Sequence, residues 1–230
     1  PYFLTTSLKK SGGGKEAVIL TATSGDTGKA ALEVFKDVPG TRILVFYPRD
    51  GVSPTQKKQM VTQEGENVCV CAIEGNFDDA QASVKQIFTD AALKETLAAH
   101  NLLFSSANSI NWGRLLPQIV YYVYAYLELV RTGRLTLGDP MDVVVPTGNF
   151  GNILAAYYAR KMGIPIRKLV CASNRNKVLT DFIRTGTYDR RREFYATASP
   201  SMDILVSSNL ERLLYDLAGE DSVQLAGWMK

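Results

Sequence analysis

Two hydrophobic rhythms alternate along the chain. Short apolar runs rich in β-branched residues fall at 17–21, 43–47, 68–73, 102–105, 143–145 and 169–172. Each reads as a strand, because a strand buried on both faces is apolar almost without interruption. Between them lie amphipathic stretches of helical period at 27–35, from Pro54 onward, 77–100, 115–130 and 151–162. Ser53-Pro54 is a helix start, with serine at the N-cap and proline at the first helical position. A helix is also expected at 4–10, broken by Gly12-Gly13-Gly14, and another after Asn174 as N-cap, ending near Gly186. The segment 188–200 is basic and irregular, and short helices follow it. The 115–130 helix has tyrosines and leucines around most of its circumference, which predicts burial on several sides. Its Tyr121, Tyr122, Tyr124 and Tyr126 read as core and interface.

Strand–helix alternation predicts an α/β fold with parallel sheets wrapped by helices. Residues 132–140 form the best linker. The expected division is a smaller α/β domain at 1–112 and part of a larger one at 113–230, with the boundary close to Asn111 and Arg114.

Composition removes several classes of function. The 230 residues are 46% apolar, enough for a substantial core. With 26 basic and 23 acidic residues the net charge is +3, too balanced for a general nucleic-acid binder. No apolar run reaches the roughly 18 residues of a membrane span. The single histidine, His100, precludes a histidine-rich metal site and reads as an exposed residue at a helix end. The three cysteines show no CxxC pairing, so no structural zinc is expected. They read as buried thiols in a reducing, cytosolic compartment. The run Arg190-Arg191-Arg192 reads as solvated or partner-facing. The chain begins at Pro1 and stops at Lys230 inside a helix-like stretch, which suggests a piece of a longer protein.

Ligands of open parallel sheets bind beyond the carboxyl ends of the strands. Three loops leaving strands are chemically dense. The first is TATSGDTG at 21–28, rich in hydroxyls and opening a helix. It suits an anion at a helix N-terminus, and equally a capped turn with Asp26 as N-cap. The second is PTGNFGN at 146–152, where glycines three apart allow close backbone approach to an oxyanion. It is neither a P-loop nor GxGxxG, and a tight turn is its plainer reading. The third is SSANSINWGR at 105–114, whose Arg114 can grip a phosphate or carboxylate through two parallel hydrogen bonds. Capping by Asn111 beside a solvated arginine explains the same residues.

Together these loops, with the later SPSMDI at 199–204 and SNLER at 208–212, resemble threonine synthase, a pyridoxal-phosphate enzyme of the tryptophan-synthase β-like group, fold type II. The resemblance covers essentially the whole chain. It implies two parallel-sheet α/β domains, the second incomplete, and pyridoxal 5'-phosphate as cofactor. It implies conversion of O-phospho-L-homoserine and water to L-threonine and phosphate, with the cofactor as electron sink. By the same resemblance Gly148, Asn149, Phe150, Gly151, Asn152 and Asp26 contact the cofactor. Thr23, Ser24, Thr27, Asn108, Ser109 and Arg114 contact the substrate. No nucleic acid, membrane or metal is expected as partner. The family's Schiff-base lysine lies in a Phe-Lys-Asp motif ahead of the first strand, which places it upstream of Pro1. The 230 residues alone are therefore expected to be inactive. Phe35-Lys36-Asp37 repeats those letters, but after the substrate loop and at the wrong end of a helix. Other fold-type-II enzymes, such as dehydratases or cysteine synthases, and a non-catalytic scaffold on the same fold remain alternatives.

Overall fold

A computed structural model describes residues 1–229. The chain divides into two compact units, Pro1–Asn111 and a second from Trp112 onward.

The first unit is built on four parallel strands: β1 (Glu16–Ala22), β2 (Thr41–Pro48), β3 (Val68–Ile73) and β4 (Leu102–Ser106), in the order β3-β2-β1-β4. β1 pairs with both β2 and β4. All but its first residue are buried, which is why EAVILTA alternates so little. Ala17, Ile19, Ile43, Val45 and Tyr47 face α2 (Asp26–Phe35) and α3 (Pro54–Val61), meeting Ala31, Leu32, Phe35 and Met60. Leu4 and Leu8 of α1 (Tyr2–Ser11) join that layer. Val18, Leu20 and Ala22 face α4 (Phe77–Thr89), meeting Ala80 and Val84. Leu97 of α5 (Ala91–Ala99) packs beside them.

The two layers follow from handedness. Right-handed crossovers put α2 and α3 on one face while the chain steps outward from β1 to β3. The return across the sheet to β4 reverses direction, so α4 and α5 fall on the other face. The reversal lies between β1 and β4, and their carboxyl ends are where a crevice opens.

The second unit holds parallel β5 (Met141–Pro146) and β6 (Ile166–Ala172), joined by α7 (Gly151–Lys161). Leu154, Ala155, Ala156 and Ala159 of α7 are fully enclosed. These small side chains let α7 pack closely against α6 (Trp112–Arg131), which contributes Leu115, Ile119 and Tyr122. α8 (Val178–Thr185) adds Val178 and Leu179, and α9 (Leu210–Leu217) adds Leu210. α10 (Ser222–Trp228) completes the described chain.

Several local expectations change. α6 is buried along one stripe only, Leu115, Ile119, Tyr122 and Tyr126, while Leu116, Val120, Tyr121, Tyr124 and Leu127 are exposed. The apolar circumference misled because α6 has a packing partner on one face within its unit. The predicted 77–100 helix breaks at Asp90, which ends α4 and caps α5 by accepting from the Leu93 N–H at 3.0 Å. Asn174 does not cap α8; the N-cap is Lys177. The cysteines are not buried: Cys69 is exposed, and Cys71 and Cys171 are half-buried. Arg192 is not solvated but bonds Asp181 at 2.7 Å and the Asp189 carbonyl at 2.8 Å.

Candidate functional site

The loop between β1 and α2 is ordered by one hydroxyl. Thr23 is 1% exposed, and its Oγ1 accepts from the N–H groups of Gly25 and Gly28, both at 2.9 Å. The Gly28 bond satisfies a first-turn donor of α2, so Thr23 performs the capping task from two residues ahead of the N-cap. Asp26 is therefore not the N-cap. That position is Gly25, and Asp26 is the first helical residue, accepting from Gln56 Nε2 at 2.6 Å. Gly25 sits at φ 140°, a conformation side chains rarely adopt. A Cβ on Gly28 would lie 2.5 Å from Thr23 Cγ2 and 2.9 Å from Val45 Cγ1. Ser24 and Thr27 are half-buried at this helix start.

The loop after β4 is bound to the end of β1. Asn108 accepts from the Ala22 N–H at 2.9 Å and donates Nδ2 to the Ala22 carbonyl at 2.6 Å. Leu20 is opposite Ser106 in the ladder, so Ala22 is opposite Asn108, whose amide continues the pairing as a backbone group would. Asn111 Nδ2 donates to the Ser106 carbonyl at 2.7 Å. Thr23 and Asn108, expected at the substrate, thus have structural partners and shape the two loops. Ser109 is half-buried. Arg114 lies past the division, in the first turn of α6, and is exposed overall. Nearby protein nonetheless desolvates its guanidinium and lowers its pKa, against an opposing effect of Tyr121. It remains a cation.

The loop from β5 to α7 has a different construction. Phe150 is the N-cap, left-handed at φ 66°, an uncommon conformation for a bulky residue. The Gly148 carbonyl accepts from Ser207 Oγ, and the Asn149 carbonyl accepts from the backbone N–H and Nδ2 of Asn209 at 3.1 and 3.0 Å. The loop carbonyls are thereby committed to the 207–209 segment. A Cβ on Gly148 would meet Ile204 Cγ1 at 2.9 Å, so glycine lets 202–204 pack close. The N–H groups of Gly151, Asn152 and Ile153 begin a helix and have no helical acceptor. The Asn152 side chain turns to α6: Oδ1 accepts from Tyr122 OH at 2.6 Å, and Nδ2 donates to Gln118 at 2.9 Å. Burial pushes the Tyr122 phenol up to about 12, keeping it a donor. Asn149 Oδ1 is a buried acceptor with no hydrogen-bond partner.

These donors fit a phosphate group. Unaccepted N–H groups sit at the positive end of a helix dipole, the adjacent carbonyls are tied elsewhere, and the loop holds no carboxylate. The 148–152 loop thus offers hydrogen-bond donors of the kind a phosphate group takes.

One cluster was missed from sequence. Asp203 Oδ1 accepts from Asn174 Nδ2 at 2.7 Å, Asn176 Nδ2 at 3.0 Å and Thr197 Oγ1 at 2.8 Å, and its Oδ2 accepts from the Thr197 N–H at 2.8 Å. This pins the 197–203 chain to the loop leaving β6, and that chain leads into Ser207 and Asn209. The Asn174-Arg175-Asn176 triplet at the exit of β6 was the available signal.

Parallel α/β units with phosphate-suited and hydroxyl-rich loops at strand exits define a class of α/β proteins that bind a phosphate-bearing ligand beyond the strand ends. The profile of the family described as pyridoxal-phosphate dependent enzyme matches residues 2–226, and the chain belongs to that family. It is 53% identical over 211 residues to human "Threonine synthase-like 1", covering 89% of this chain and 28% of that protein. It is 43% identical over 221 residues to threonine synthase of Saccharomyces cerevisiae, covering 95% and 41%. The crystal structure of pyridoxal-phosphate-bound threonine synthase from Brucella melitensis superposes with a TM-score of 0.80 at 42% identity, covering 99% of this chain and 46% of that one. The chain thus spans less than half the length of these relatives. Pyridoxal phosphate is its family's cofactor.

Proposed function

We propose that the protein to which these residues belong is a threonine synthase, a lyase of amino-acid biosynthesis that converts O-phospho-L-homoserine and water to L-threonine and phosphate. The observation that carries this reading is the 148–152 loop, whose carbonyls are held by Ser207 and Asn209 while its helix-starting N–H groups lack helical acceptors. A phosphate-bearing cofactor is the ligand such a loop holds best. Gly148, Asn149, Phe150, Gly151 and Asn152 would bind it through backbone groups, and Asp26, oriented by Gln56, would be a further contact. When bound, pyridoxal phosphate supplies an electron sink for carbanions formed on the substrate. Arg114 would bind the departing phosphate as a planar fork, with Ser24, Thr27 and Ser109 adding neutral hydrogen bonds. Thr23 and Asn108 would act on the substrate by holding these loops in shape. A reducing, cytosolic setting suits the free thiols. Among the described residues, no helix is long and apolar enough to cross a membrane.

The test uses the full-length protein. Arg114→Ala should lower kcat/KM for phosphohomoserine at least about tenfold, the order expected for losing one charged hydrogen-bonding partner. Cofactor absorbance should stay intact. Arg114→Lys should recover only part of the loss, since a point charge lacks the fork. Unchanged turnover in Arg114→Ala, or loss of cofactor instead, would favour a dehydratase-like or cysteine synthase-like activity.

A further inference from the structure

β3 carries a pair of thiols that the proposed reaction does not use. Cys69 and Cys71 are two residues apart on an extended strand, so their side chains share a face. Their Sγ atoms lie 3.7 Å apart, and both cysteines are free. The backbone beneath them is held by β2, with Leu44 opposite Cys69 and Phe46 opposite Cys71. The separation of the thiols is therefore set by a sheet, not by a flexible loop.

That separation suits a bridging atom better than a disulfide. Two residues of strand span about 6.6 Å between Cα atoms. This is the upper end of what a disulfide tolerates. Closing an S–S bond would distort a strand paired along its length. Two sulfurs bound at about 2.3 Å to one central atom instead stand roughly 3.3–3.8 Å apart, for bond angles between about 90° and 110°. Among the described residues no cluster of three or more His, Cys, Asp or Glu could hold a metal ion, so a zinc-type ion lacks its ligands. An electrophile satisfied by two sulfurs fits. Beside the pair, at the amino-terminal edge of the sheet, a cavity of about 710 Å³ is lined by Cys69, Arg42, Leu44 and Val68 among others, giving room for an attached ring.

We infer that Cys69 and Cys71 form a vicinal-dithiol site for a trivalent organoarsenical, the cavity receiving its organic group. The reaction is a condensation without redox change. Two S–H bonds and the arsenic–oxygen bond of R–As=O break, two As–S bonds form, and both thiol protons leave with the oxide oxygen as water. Arsenic stays trivalent. Burial and the neighbouring Cys69 raise the Cys71 pKa, so the thiol brings its proton to the reaction.

The probe is phenylarsine oxide, added to the reduced full chain. Intact mass should show one adduct at this pair, and thiol titration should fall by two per adduct. The adduct should survive excess 2-mercaptoethanol and be removed by 1,2-ethanedithiol. Cys69→Ser and Cys71→Ser should each leave only an adduct that 2-mercaptoethanol strips, and Cys171→Ser should behave as the parent. Peptide mapping of the parent adduct should place arsenic across the peptide containing both residues, which reads the site without any variant. A resistant adduct in Cys69→Ser or Cys71→Ser, its loss in Cys171→Ser, or arsenic mapped elsewhere would overturn the inference.

Discussion

Asn209 is fully buried and makes three hydrogen bonds that matter to the phosphate loop. Its backbone N–H and Nδ2 both reach the Asn149 carbonyl, and its Oδ1 accepts from Arg212 Nη1 at 2.7 Å. Replacing it with alanine leaves the Asn149 carbonyl with one donor and empties an enclosed space. Each lost hydrogen bond is worth about 1 kcal/mol, so the affinity of the full-length protein for pyridoxal phosphate should fall about five- to tenfold. Pyridoxal, which lacks the phosphate, should bind Asn209→Ala and parent alike. Equal loss for both ligands would show that Asn209 supports the fold and not the phosphate loop. At this scale the sequence is least legible. Thr23 and Asn108 stand in loops of the right chemistry, yet a hydroxyl or amide given to the backbone is written with the same letter as one offered to a ligand. Their partners are Gly28 and Ala22, and the Asn108 partner is 86 residues away.

At the scale of elements, α7 and α9 are joined by a small polar cluster. Asp216 on α9 accepts from Tyr157 and from Lys161 Nζ at 2.6 Å, both on α7. Lys161 first, and then the Tyr157 hydroxyl, hold the Asp216 carboxyl below the usual aspartate range. A depressed folded pKa stabilises above the unfolded value of about 3.9, and the gain is lost as pH falls through the lower folded value. Lys161 is half exposed, which limits the contribution to about 1 kcal/mol or less. Denaturant unfolding should therefore find Asp216→Asn less stable than the parent at pH 7 by up to that amount. The gap should shrink as the pH is lowered from about 4 into the acid range. A gap that does not shrink as the acid range is entered and crossed would mean packing, not charge, sets the difference. Strands were legible here because burial on both faces writes an unbroken apolar run, as in β1. α6 was not, because sequence records how apolar a helix is but not how many neighbours it has. Asp90 was ambiguous, since a helix stop and a helix cap are the same residue there.

The first unit has a polarity that bears on the whole molecule. Its parallel strands all end at one edge, where Thr23, Ser24 and Asn108 lie, and begin at the other, where Glu16, Asp37 and Thr41 line the open cavity. A crossover helix must run from the first edge back to the second. α2 does so, spanning about 15 Å over its ten residues. Lys36 is its C-cap and so stands at the amino edge, within reach of Gly65 and next to Asp37. The Phe-Lys-Asp triplet at 35–37 thus reproduces a motif's letters at the edge opposite the strand exits where ligands bind. In the full-length protein loaded with pyridoxal phosphate, borohydride reduction and peptide mapping should find no cofactor on Lys36. Lys36→Ala should keep the bound cofactor's absorbance. A reduced adduct on Lys36 would place the cofactor at the amino edge, and the assignment of the 148–152 loop would fall with it.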